Sequence, residues 1–70
     1  MKQHVRLLTH QSKLLASLPE QGMGYHVVDI ELSNGRILKK LFVIDSSILV
    51  IEKDEEPVDP KNILSIKLHL

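Results

Sequence analysis

The chain has 70 residues, with nine basic and nine acidic side chains, four histidines and no cysteine. That length makes one domain, residues 1–70, with a small core that needs a partner or another staple. The absence of cysteine excludes disulfides, thiolate zinc centres and cysteine nucleophiles and fits a reducing cytoplasm, and zero net charge argues against a strong nonspecific grip on phosphate backbones. No apolar run approaches the roughly 20 residues of a membrane helix, and Met1-Lys2-Gln3-His4 does not open a signal peptide.

In chain order, Leu7, Leu8, Leu14, Leu15 and Leu18 follow the 3.6-residue period of an amphipathic helix between Val5 and Leu18. Pro19 disfavours the α region at Leu18, so the helix, placed within residues 1–18, is expected to end near Ser17. Gln21-Gly22-Met23-Gly24 reads as a connector. From 25 to 70 the period is two. His26, Val28, Ile30 and Leu32 share one strand face; Tyr25, Val27, Asp29 and Glu31 share the other. Asn34-Gly35 suits a two-residue type I′ hairpin that pairs Ser33 with Arg36 and sets Asp29 opposite Lys40 as an ion pair. Lys39 then falls on the apolar face, so a bulge near Lys39-Lys40 is expected.

The returning strand, Arg36 to Ile44, is apolar on both faces, as a bent strand covered on its outer side would be. Asp45-Ser46-Ser47 is a turn, and Ile48 to Ile51 a buried strand. Pro57 and Pro60 keep the segment from Glu52 to Lys61 out of the sheet. The last strand, Asn62 to Leu70, places Leu64, Ile66, Leu68 and Leu70 on one face. The expected fold is therefore mostly β: an N-terminal α-helix followed by a small four- or five-stranded SH3-like or Sm-like barrel.

The stretch "VDIELSNGRILKKLFVIDSSILVIEKDEE" resembles the first motif of the Sm-like small β-barrel family, and "VDPKNILSI" resembles the second. The preceding helix and the short link between the motifs are most similar to the bacterial Sm-like RNA chaperones. The "GMGYHVVDIELSNGR" segment is also similar to small bacterial proteins of no assigned activity. Membership would imply a ring that binds single-stranded RNA through two turns, here Asp45-Ser46-Ser47 and Asp59-Pro60-Lys61. The departures are specific. Serines replace the base-contacting residues of the first turn. In the second, only Lys61 keeps a donor where an aromatic and two basic residues are usual. Lysine, at 39 or 40, replaces the family's bent-strand glycine.

Catalytic constellations are thin. His4 and His10 are six apart, too far round a helix to share a face, and all four histidines read as scattered surface groups. Asp29 and Glu31 share a strand face with Lys40 nearby, which reads as a solvated surface. The acidic stretch from Glu52 to Asp59 lacks calcium-loop spacing, and Ser46-Ser47 lack a nucleophile setting. These features indicate a non-enzymatic assembly or protein-binding module without cofactor or metal. It is expected to be a homo-oligomer formed through exposed strand edges, with a protein partner as a further option and no membrane association. The alternative is an Sm-like RNA-binding ring using Arg36, Lys39, Lys40 and Lys61. Tyr25 and Phe42 are the only Phe, Tyr or Trp rings it could offer for base stacking.

Overall fold

A computed structural model describes residues 3–51 and 57–70. Its elements are β1 (Gln3–Arg6), α1 (Thr9–Ala16), β2 (Tyr25–Leu32), β3 (Ile37–Ile44), β4 (Ile48–Ile51), a 3-10 turn (Pro60–Asn62) and β5 (Ile63–Leu68). All five strands form one antiparallel sheet in the order β1-β4-β3-β2-β5. The mostly-β reading holds, but the sheet does not close into a barrel. β1 and β5 lie at opposite edges, and four interstrand gaps hold them roughly 19 Å apart along the sheet.

The start of the expected helix is a strand instead. His4 and Arg6 are exposed while Val5 and Leu7 are buried, an alternation of period two that pairs β1 with β4. Leu7 N–H then donates to the Ser47 carbonyl at 2.8 Å, pinning the link between β1 and α1 to the β3–β4 turn. The helix that remains is short. Gln11 stabilises its first turn by accepting from Leu8 N–H at 2.9 Å, and its amide donates to the Pro60 carbonyl at 2.8 Å. The helix ends at Ser17 as expected, and the Ser17 hydroxyl donates to the Leu14 carbonyl. Leu15 is fully buried against the sheet, whereas Leu14 is 45% exposed.

The core lies between α1 and the inner face of the sheet, where Leu15 joins Val28, Ile30, Val43, Leu49 and Ile51. His26 belongs to this face too. It is 1% exposed, which corrects its reading as a surface histidine. Strand parity puts it beside Val28 and Ile30, and its Nε2 lies 3.0 Å from the Leu18 carbonyl. A carbonyl only accepts, so Nε2 carries the proton and Nδ1 faces the core with no partner among the described residues.

The β2–β3 hairpin does not close with the expected two-residue turn. Glu31 pairs with Ile37, and Leu32 N–H donates to the Arg36 carbonyl at 2.8 Å, so Ser33-Asn34-Gly35 is a three-residue loop. Gly35 alone has positive φ there, at 88°, and Asn34 Oδ1 accepts from Arg36 N–H. A three-residue loop of this kind needs one left-handed residue at its end, which glycine supplies without strain. Positive φ at two successive central positions occurs instead at Asp45 (54°) and Ser46 (58°), with Ser47 N–H closing onto the Ile44 carbonyl.

The expected bulge at Lys39-Lys40 is present. Val28 pairs with Leu41 and Ile30 with Leu38, leaving β3 one residue longer, and Lys40 adopts φ 58°. A second bulge, in β5, overturns the single apolar face expected of the last strand. Glu31 pairs with Ser65 but Leu32 with Ile63, so Leu64 is the extra residue. Ile63 takes the core position and Leu64 is left 65% exposed.

Candidate interaction surface

The outer face of the sheet can be read from the ladder registers. Arg6, Ile48, Ile44 and Tyr25 form one rung; His4, Val50, Phe42 and Val27 form the next. Successive side chains alternate faces, so these are the partners of the buried inner row at Val5, Leu49, Val43 and His26. The centre of the outer face is apolar, with a base at the β1 side of each rung. Phe42 and Ile44 are each 45% exposed, and Ile37, further along β3, is 58% exposed. The Tyr25 and Phe42 rings stack at a centroid distance of 5.4 Å and an interplanar angle of 17°, a diagonal cross-strand pair that fixes both rings on this face. The two-sided apolar pattern of β3 was the sequence signal for this surface. It implied a covering element, but α1 covers the inner face, and no described element lies over Phe42 and Ile44.

Beyond the apolar rungs the face turns polar. Asp29 Oδ1 accepts from Lys40 N–H at 2.9 Å and lies 2.8 Å from Nδ1 of His69. The expected Asp29–Lys40 ion pair is thus a bond to the Lys40 backbone, because the bulge turns that N–H toward the carboxylate. The Lys40 N–H, and after it the His69 ring, hold the Asp29 carboxyl below its ordinary value against the opposing effect of burial. Gln21 ties the same region together, accepting from Val27 N–H and donating to the His69 carbonyl.

The four residues of the RNA reading fall into two groups. Ser33 N–H donates to the Asn62 carbonyl at 2.8 Å, which brings the β2–β3 loop, and with it Arg36, to the 3-10 turn that carries Lys61. Lys39 and Lys40 lie at the bulge, both exposed. Asp59 caps the 3-10 turn by accepting from Lys61 N–H at 2.9 Å, so a carboxylate sits beside the one basic residue of that turn. Much of the acidic stretch, Glu52 to Glu56, lies outside the described residues. No group of three or more histidine or carboxylate side chains converges among the described residues in a way that could hold a metal ion. No described helix is long and apolar enough to cross a membrane. Compared with known proteins, the chain matches no family model, no curated protein and no solved structure.

Proposed function

We propose that this protein is a non-enzymatic assembly module that pairs with a second copy of itself through the outer face of its sheet. The carrying observation is the stacked Tyr25–Phe42 pair with Ile44, an apolar cluster on a face that no described element covers. A sheet with one apolar face normally buries it against a second layer, and two such sheets pack face to face about 10 Å apart. A second copy offers an identical apolar centre, and the zero net charge of each lets two approach without long-range repulsion. One face of a molecule measuring 28 × 23 × 22 Å is comparable with the roughly 800 Å² per partner of a specific interface. The face suits association better than the edges do. β5 carries the Leu64 bulge and Lys67, two devices that blunt edge pairing, and β1 has only four residues. A reducing cytoplasm is the setting we infer for a chain that needs no disulfide.

Light scattering across a wide concentration range tests this reading. The wild type is expected to approach twice the monomer mass, and Phe42→Glu to remain monomeric with an unchanged melting temperature at low concentration. A wild type that stays monomeric at high concentration refutes it. Weak binding to short U-rich or A-rich RNA is expected at ~0.15 M salt. Tight binding lost on Lys39→Ala and Lys61→Ala would put the Sm-like ring first.

A further inference from the structure

We infer that the cleft between α1, the end of β1 and the β3–β4 turn binds a phosphate group, either free phosphate or a small phosphate monoester. The cleft measures about 320 Å³ and is lined by Arg6, Thr9, Ser12, Lys13 and Ser47, over Leu7 and Ala16. That volume is at the small end of ligand sites and leaves room for a phosphate group and a small substituent on it. Among the described residues, Arg6 and Lys13 stand on two different elements and are joined in no ion pair, and no carboxylate lines the cleft. On a chain of zero net charge, such a pair is a local feature rather than part of a general basic surface.

The walls are held in place. The Ser12 and Ser47 hydroxyls are 3.1 Å apart, and Leu7 N–H bonds the Ser47 carbonyl, so helix, link and turn are tied across the cleft. One serine hydroxyl donates to the other, which leaves one hydroxyl proton of the pair for a ligand oxygen. The Thr9 hydroxyl has no partner among the described residues and adds another donor. Two cations and two spare hydroxyl protons match the acceptor-only oxygens of a phosphate dianion.

The test is a titration of the full chain, followed by amide chemical shifts, with inorganic phosphate, phenyl phosphate and, at matched ionic strength, chloride. Saturable shifts at Thr9, Ser12, Lys13 and Ser47 are expected with phosphate but not chloride. The Arg6→Gln/Lys13→Gln double variant should weaken binding about tenfold or more. Both positions are exposed, so at a concentration low enough to keep the protein monomeric its melting temperature without phosphate should match the wild type. Tighter binding of phenyl phosphate assigns a monoester, and equal binding assigns the free ion. Unsaturable shifts, equal shifts with chloride, or undiminished binding by the double variant would overturn the inference.

Discussion

Adjacent leucines on α1 give a sharp test of how the helix docks. Leu15 is fully buried in the cluster with Val28, Ile30 and Leu49, whereas Leu14 is 45% exposed. Truncating a fully buried leucine removes its transfer free energy and leaves a cavity, a combined loss of ~2–5 kcal/mol. Taking about 3 kcal/mol for Leu15→Ala, the melting temperature of a domain this size should fall by roughly 12–24 °C. Alanine at position 14 keeps a strong helix former on the surface, so Leu14→Ala should stay within about 0.5 kcal/mol of wild type. Thermal and urea unfolding followed by far-UV circular dichroism would measure both, at a concentration low enough to keep the protein monomeric. Equal losses, or a larger loss for Leu14→Ala, would mean that the helix packs through a different face.

Replacing Asp45-Ser46 by Asn-Gly puts residues tolerant of positive φ where both are required, and should raise stability by about 1 kcal/mol, read as a higher urea midpoint. At Gly35, φ is 88° and a Cβ would meet nothing within 4 Å, so Gly35→Val should cost about 1–2 kcal/mol through backbone strain alone; an unchanged melting temperature would contradict the loop geometry. The Asp29 carboxyl is held below its ordinary value of 3.8, so the stability it adds is fully present above that pH and is lost as pH falls through its lowered value in the folded protein. Asp29→Asn should therefore unfold earlier than wild type at neutral pH, with the difference shrinking in acid below about pH 4; a gap that widens there would reverse the assignment.

The bulge at Lys39-Lys40 was legible because two lysines cannot both be fitted onto strand faces otherwise apolar. The bulge at Leu64 was not. "ILSIKLHL" alternates cleanly on paper, and only the pairing of Leu32 with Ile63 shows which leucine is displaced. In β1, "HVRL" carries a strand's alternation, but the leucines after it suggested helical spacing strongly enough to absorb it. Four residues hold too little pattern to decide, and the sheet edge at β4 settled the matter. Asn34-Gly35 marked a turn but not its length. Asp45-Ser46 carries no glycine, so nothing in its letters marked the two positive φ values. The outer face was visible as the second apolar face of β3. Its lack of cover depends on where α1 docks, which local sequence does not encode.

The placement of β1 also bears on how the chain acquires its structure. The β2–β3 and β3–β4 hairpins close over short loops, so each can form from residues already near one another. β1 has no such neighbour. Arg6 meets Ile48 and Gln3 meets Ile51, closing a loop on the order of forty residues. During synthesis β1 is made before β2, β3 and β4 and waits until its template exists, since β4 follows both hairpins' other strands. Until it docks, the β4 edge stands open beside Val50 and Ile51, a transient template for strand exchange with another chain. Residues made before either hairpin are thus the ones that cover the β4 edge of the hairpin sheet.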